Sequence, residues 1–246
     1  MLCKLPVDEA EDVVELVDHV LGSGADANLL KGLCELLESI SESAGVVKVR
    51  EAILVEEERT SGAESKEAGV TLASLGIAYG QLGDHTKKRD MLERALAINE
   101  RAFGRDHTSV ASTLTNLGNA YGALGDHAKK RDMLERALAI DERAYGRDHT
   151  EVAVTLMNLG TAYGALGDYA KKRDMLERAL AIKERAFGRD HTSVAFTLGS
   201  LGLAYGKLGD ASKKREYITR TVTIFEGAYG PDHPQAKWYR AQLESM

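Results

Sequence analysis

Seven histidines are the first residues in this chain that could do chemistry. Four of them, His107, His149, His191 and His233, recur every 42 residues, in Gly-Arg-Asp-His or Gly-Pro-Asp-His. Imidazole suits zinc, but every ligand of one ion must lie about 2 Å from it. One histidine per element, with packed helices roughly 8–10 Å apart, cannot converge on an ion. The ladder therefore predicts capping or junction packing, and no metal site. His19, His85 and His127 have no Cys or carboxylate cluster at ligand spacing. The second candidate is Lys87-Lys88-Arg89, repeated from Lys129, Lys171 and Lys213. Such a ridge could meet phosphates. Asp90, Asp132 and Asp174 interrupt it, however, and no aromatic residues interleave for base stacking. A solvated face with local ion pairs is expected, and nucleic acid is disfavoured as a partner. The Gly-x-Gly at Gly22 to Gly24 has neither the preceding strand nor the following Gly-Lys-Ser/Thr of a phosphate loop. There is no Ser/His/Asp set, Gly-x-Ser-x-Gly or His-Glu-x-x-His, and any acid–base pair would recur in every copy. Neither an enzyme nor a cofactor is expected.

The elements that hold these residues follow from self-similarity, which decides the fold before any other signal. Thr108 to His149 and Thr150 to His191 agree at 35 of 42 positions. Each copy contains two amphipathic segments, about Thr108 to Leu124 and about His127 to Tyr145 in the first. Leu114, Leu117, Gly118 and Tyr121 fall at i, i+3, i+4 and i+7, one face of an α-helix. Met133, Leu134, Ala137, Leu138 and Ile140 form a second apolar stripe. Gly125 stands where a helix end wants positive φ, and Asp126 is an N-cap acceptor for the second helix. Asp106 and Thr108 compete as N-caps for the first, and Asp148 with Glu151 has capping-box spacing. A lone hairpin of this kind cannot bury its apolar face, but a stack can.

Leu117-Gly118-x-x-Tyr121, then Gly125, Leu134 and Ala137, resemble the tetratricopeptide (TPR) pattern. The 42-residue unit, with Asn-Leu-Gly-x-Ala-Tyr, Gly-Asp, Arg-Ala-Leu-Ala-Ile and the Asp-His junction, is similar to the repeats of kinesin light chains and their relatives, over roughly residues 27 to 246. The resemblance implies an all-α, right-handed superhelical solenoid of antiparallel helix hairpins. One departure is Lys88, Lys130, Lys172 and Lys214, where the family has a small residue opposite the glycine. Either the lysine stem lies across that glycine or the packing is looser. The N-terminal heptads of kinesin light chains are missing, so a motor-subunit role is not implied.

The charge of −6 is uneven. Residues 1–65 hold 5 Lys and Arg against 15 Asp and Glu, a net −10, and residues 66–246 hold 27 against 23, a net +4. An acidic cap on a basic array could join arrays head to tail; the plainer reading is solubility. Cys3 and Cys34 make no disulfide framework, no stretch is long and apolar enough to span a membrane, and Met1-Leu2-Cys3-Lys4 runs straight into acidic residues, unlike a secretory signal. A cytoplasmic location is expected, with no membrane partner.

In order, residues 8 to 21 read as a first helix that Gly22-Ser-Gly24 breaks. Ala27 to Ser61 reads as a degenerate unit, in which Leu30, Leu33, Cys34 and Leu37 take the places of Leu72, Leu75, Gly76 and Tyr79. Cys34 is then a small buried side chain. Residues 1–65 form an N-terminal cap, residues 66–233 four repeats and residues 234–246 a closing helix, with Pro231 and Pro234 suited to helix starts. Thr221, Val222 and Phe225 mark drift in the last copy.

The two central copies differ at seven positions. Three of these belong to sets that vary along the chain: Val70, Ser112, Val154 and Phe196; Ala73, Thr115, Met157 and Gly199; Ile77, Asn119, Thr161 and Leu203. Gln81, Ala123, Ala165 and Lys207 extend them. The spacing i, i+3, i+7, i+11 is one face of the first helix, and not the face of Leu117, Gly118 and Tyr121. In TPR-like proteins this face lines the concave groove, so the resemblance implies a binding wall that changes from copy to copy. Asn116 and Asn158, with Ser200 (and Ser74) in the end copies, precede the packing leucine. In related peptide-binding repeats an asparagine there hydrogen-bonds a peptide backbone, which an amide can do as donor and acceptor; satisfying its own helix is the alternative. Val154, Met157, Phe196, Leu203 and Trp238 make the C-terminal end of this face apolar, as interaction sites are, unless the chain's last turns cover Phe196 and Trp238. The expected function is a non-enzymatic scaffold that binds a peptide or protein segment. The alternative is a self-associating spacer, or a repeat fragment of a larger receptor or scaffold.

Overall fold

The computed structural model describes residues 27–39 and 43–244, together with Val17, His19, Val20 and Gly22. The helix expected over residues 8 to 21, and its Gly-Ser-Gly break, lie largely outside the described residues. Eleven helices and no strand are found among the described residues: α1 Ala27–Ser39, α2 Ser43–Ser61, α3 Lys66–Gln81, α4 His85–Phe103, α5 Thr108–Ala123, α6 His127–Tyr145, α7 Thr150–Ala165, α8 Tyr169–Phe187, α9 Thr192–Lys207, α10 Ala211–Tyr229 and α11 Pro234–Glu244. The all-α expectation holds, and the degenerate unit at Ala27 to Ser61 is a helix pair of its own. Its Leu30, Leu33, Cys34, Leu37, Ile53 and Leu54 are all buried. Burial raises the Cys34 thiol pKa, as expected of a packing residue rather than a nucleophile.

Local chemistry sets the boundaries. Asp84, Asp126, Asp168 and Asp210 each accept from the backbone N–H three residues on and so cap the second helix of a hairpin. Gly125 (φ 85°) and Gly146 (φ 86°) take the left-handed backbone at the end of each helix, where a Cβ would be strained. At the start of the first helix the histidines take the capping role expected of their ladder, ahead of the other candidates. Asp106, Thr108 and the Asp148–Glu151 box do not cap it. His149 Nδ1 accepts from Glu151 N at 3.2 Å. His107, His191 and His233 do the same for Ser109, Ser193 and Gln235. Each imidazole also stacks on the aromatic ring that closes the preceding helix, as His149 does on Tyr145 at 4.9 Å. Acceptor and apolar ring face come together in histidine, which a carboxylate cannot offer. Asp148 turns instead to Arg185, 2.9 Å away. Pro234 opens α11 as expected, whereas Pro231 lies in the preceding turn.

The chain divides into two compact units, residues 1–120 and 121–246. In the first, each helix from α1 to α4 packs on the next, around Leu33, Leu37, Val49, Ile53, Leu72 and Leu75. In the second, α6 to α11 follow the same rule, with Leu156, Leu176, Leu198, Leu201, Ile218 and Phe225 among its buried residues. A tyrosine ties each hairpin to the one before it: Tyr79 to Glu51 in the first unit, Tyr163 to Glu135 and Tyr205 to Glu177 in the second. Burial, then the hydrogen bond to Glu135, pushes the Tyr163 pKa up to about 12. The lysine question has a definite answer. The Lys88 stem lies across Gly80, not Gly76, with its Cδ 2.7 Å from where a Cβ would stand. Gly76 instead admits Leu92 and the Lys88 carbonyl. Lys172 repeats the arrangement over Gly164, and Lys214 over Gly206.

Candidate functional site

The sets that vary between copies sort into two kinds. Ser112 in the first unit, and Val154, Thr161, Phe196 and Lys207 in the second, are exposed. Phe196 and Trp238 are 45% and 49% accessible, so the last turns of the chain do not cover them. Asn119 and Leu203 are half-buried. The set of Ala73, Thr115, Met157 and Gly199 turns inward, against the expectation of a groove lining. Thr115 and Met157 are half-buried and Gly199 is buried. Met157 Sδ lies 2.8 Å from Lys183 Nζ and 3.4 Å from Thr197 Oγ1. A Cβ on Gly199 would stand 2.4 Å from the Tyr239 ring. Met157 and Gly199 therefore pack hairpin on hairpin.

The asparagines divide as well. Asn116 Nδ2 donates to the Ser112 carbonyl one turn back, at 3.1 Å, which is the local satisfaction held open as the alternative. Asn158 makes no such bond among the described residues and remains half-buried, as does Ser200.

A further variable set, of which only Phe225 stands out in the sequence, is Asn99, Asp141, Lys183 and Phe225, all buried on the second helices. Each meets the first helix of the next hairpin. Asn99 Nδ2 donates to Thr113 Oγ1 at 3.1 Å. Thr155 Oγ1 donates to Asp141 Oδ2 at 2.7 Å. Lys183 Nζ donates to Ser193 O at 3.3 Å. Phe225 stacks on Tyr239 with centroids 6.0 Å apart. Asp141 and Lys183 form one of the seven differences between the central copies, so the signal was present; it lay apart from the four differences clustered on the first helix. Burial raises the Asp141 pKa, opposed by the Thr155 bond, and lowers that of Lys183.

The basic ridge is engaged locally, as expected. Lys171 lies 3.7 Å from Asp168 and 4.9 Å above the Tyr163 ring, the Lys172 stem covers Gly164, and Arg173 pairs with Asp174 at 2.5 Å.

Cavities open along the variable face. In the first unit Ser74, Ile77 and Gln81 line one of about 380 Å³ with Glu38, Ser43, Val46, Arg50 and Ala78. In the second, Leu203, Lys207 and Trp238 come together around one of about 540 Å³ with Tyr169, Lys172, Lys214 and Gln242. Ile77 and Leu203 share a register, as do Gln81 and Lys207. Equivalent positions therefore line a cavity in each unit.

Family models described as tetratricopeptide repeat match over residues 67–143 and 131–185, and over 194–235, together more than half of the chain. The chain belongs to the tetratricopeptide repeat family. Such arrays are in general non-catalytic scaffolds for protein–protein interaction, and the helix hairpins here are of that kind. No curated protein matches the array significantly in sequence. Among solved structures it is similar to the nearly identical TPR-like repeats of a Podospora anserina protein titled a kinesin light chain (21% identity, 82% of this chain and 96% of the other, TM-score 0.71). It is also similar to BtubC (BKLC) from P. vanneervenii (22% identity, 91% and 89%, TM-score 0.73), and to YrrB, a TPR protein with an unusual peptide-binding site (18% identity, 95% and 98%, TM-score 0.58). At these identities the likeness is one of fold, and it agrees with the kinesin-light-chain-like repeat read from the sequence. No helix among the described residues is long and apolar enough to cross a membrane, and no group of three or more His, Cys, Asp and Glu among them is arranged to hold a metal ion.

Proposed function

We propose that the array binds an extended segment of another protein on the exposed face of its first helices, in the second unit through Val154, Asn158, Thr161, Phe196 and Ser200, and in the first through Ser112, Asn116 and Asn119. The observation that carries this reading is the accessibility of Val154 (46%) and Phe196 (45%), large apolar side chains held in water at a register where the copies differ. Phe196 meets the buried Phe225 edge-on, with ring centroids 5.0 Å apart, yet much of its ring stays in water, and a contiguous apolar patch rimmed by polar groups marks an interaction surface. Asn158, with its amide free, supplies a donor and an acceptor for a peptide unit. The peptide-binding site named for YrrB lends the reading an analogy of fold only.

Selection of peptides from a random library against the whole chain tests it. Selected peptides should lose binding to Val154→Ser with Phe196→Ser, and bind more weakly to Asn116→Ala with Asn158→Ala, at unchanged helicity. Peptides that bind these variants as well as the parent would refute the proposal.

A further inference from the structure

The cavity around Trp238 has a chemical bias that its neighbours lack. Tyr169, Leu203 and Trp238 give it an apolar wall, and Lys172, Lys207 and Lys214 reach it without any lining carboxylate. Several other cations of the same unit have carboxylate partners: Lys171 with Asp168, Arg173 with Asp174, Arg178 with Glu142, Arg220 with Glu184. Lys172, Lys207 and Lys214 join no ion pair among the described residues. Lys172 and Lys214 are held in place because their stems cover Gly164 and Gly206, so two of the three ammonium groups are positioned before any ligand arrives, and little side-chain entropy remains to be lost on binding. Burial depresses the Lys172 pKa; a bound anion would relieve that loss of hydration.

The complement is written in the chain itself. Leu5-Pro6-Val7 is followed by Asp8, Glu9, Glu11 and Asp12. This is a short apolar stretch running directly into four carboxylates. We propose that this N-terminal segment of a second copy docks in the Trp238 cavity, its apolar residues against Trp238 and Leu203 and its carboxylates against Lys172, Lys207 and Lys214, so that chains join head to tail. A contact of this kind is heterologous and leaves both ends free to add another copy. It narrows the proposed function to one end of the binding face, and rests on that reading only in taking the face to hold a protein segment.

Trp238 is the only tryptophan, so intrinsic fluorescence reports occupancy of this cavity. A synthetic peptide of residues 5–13, titrated into dilute full-length chain, should shift Trp238 emission saturably. Lys207 is exposed at the end of α9, and Lys207→Glu should leave the fold intact while weakening the peptide about tenfold. The peptide with Asp8→Lys and Glu9→Lys should reverse that preference. Light scattering on the chain alone should give a mass that rises with concentration and falls as salt is raised from about 0.05 to about 0.5 M. A peptide that leaves the fluorescence unchanged, affinity indifferent to Lys207→Glu, or a mass constant with concentration would each overturn the inference. A constant mass with peptide binding intact would mean that another protein, or the chain's own end, occupies the cavity. Library peptides lost to Val154→Ser with Phe196→Ser would still support the proposed function in any of these cases.

Discussion

Replacing Lys183 by methionine should stabilise the second unit, although it removes hydrogen-bonding atoms from the interior. Lys183 is only 9% accessible, and its ammonium meets a thioether and one carbonyl, with no carboxylate. The bond that is lost, to Ser193 O at 3.3 Å, is long; bonds to charged groups contribute about 1.5–3 kcal/mol at good geometry, so its share lies at the low end. The desolvation that is relieved amounts to several kcal/mol for a buried ion. Methionine fills similar volume and adapts its shape to the gap. The net expectation is about 1–2 kcal/mol of added stability at neutral pH, or a melting temperature higher by roughly 2–8 °C. The pH dependence separates this cause from better packing alone. Burial depresses the Lys183 pKa below 10.5. Between the depressed value and 10.5 the unfolded chain binds more protons than the native one, so the parent gains stability as pH rises through that window. Below the window the penalty is present in full. The advantage of Lys183→Met should therefore be largest at neutral pH and shrink toward about pH 10.5. Other lysines titrate equally in both proteins and cancel from the difference. Urea denaturation followed by far-UV circular dichroism across this range measures it. A variant less stable than the parent at neutral pH, or an advantage that stays flat with pH, would refute the account.

Asp141→Asn should also stabilise at neutral pH, because the amide oxygen can still accept from Thr155. The Asp141 pKa is raised from 3.8, so the native chain binds the extra proton between 3.8 and the raised value. The parent loses stability as pH rises through that window, and the gain from asparagine should vanish in acid below it, as acid-range denaturation would show. His149→Ala should destabilise by about 1 kcal/mol through the lost cap, and His149→Asn should restore most of it; urea midpoints of the two variants decide. Gly199→Ala should cost about 1–3 kcal/mol, because its Cβ meets the rigid Tyr239 ring at 2.4 Å. Gly164→Ala should come near neutral, because only the flexible Lys172 stem must move and alanine favours helix. Trp238 fluorescence, next to Tyr239, should change in the first variant.

The helices were legible because one periodic signal was repeated until chance could not imitate it. Asp126 and Gly125 bracket a boundary by local chemistry alone, and that chemistry acts in the structure as it does in a peptide. The spacing of His107 and its equivalents fits capping or junction packing, with Asp106 and Thr108 as competing caps, and the structure gives the cap to the imidazole. A residue-by-residue ranking of cap acceptors has no place for a ring that also stacks on the helix before it. Of the two readings open for the lysines, a stem across a glycine is the one found, but over Gly80 rather than Gly76, because a sequence gives the register of a side chain and not the direction of its long stem. Within the variable face, i+3 spacing could not tell Thr115 and Met157 from their exposed neighbours. Which flank of a helix meets the next hairpin depends on the crossing between them, and no single repeat encodes that.

The buried set Asn99, Asp141, Lys183 and Phe225 changes how the differences between copies should be read. Positions 99, 141 and 225 each meet the residue 14 places on, as Asn–Thr, Asp–Thr and Phe–Tyr, and at 183 Met157 stands between the lysine and Thr197. At one repeat position the Thr113 hydroxyl accepts from the buried amide of Asn99 and the Thr155 hydroxyl donates to the buried carboxylate of Asp141, whereas the Lys183 ammonium finds only a thioether and a carbonyl. Gly199 makes the same point from the other side: the last junction could take the Tyr239 ring only because the side chain at position 199 is absent. Change at Met157 or Gly199 is thus matched by a group in the neighbouring hairpin, whereas Val154 stands in water with no such counterpart. The exposed set is left to answer to something outside the chain, and that asymmetry, more than exposure alone, is the argument for a binding face.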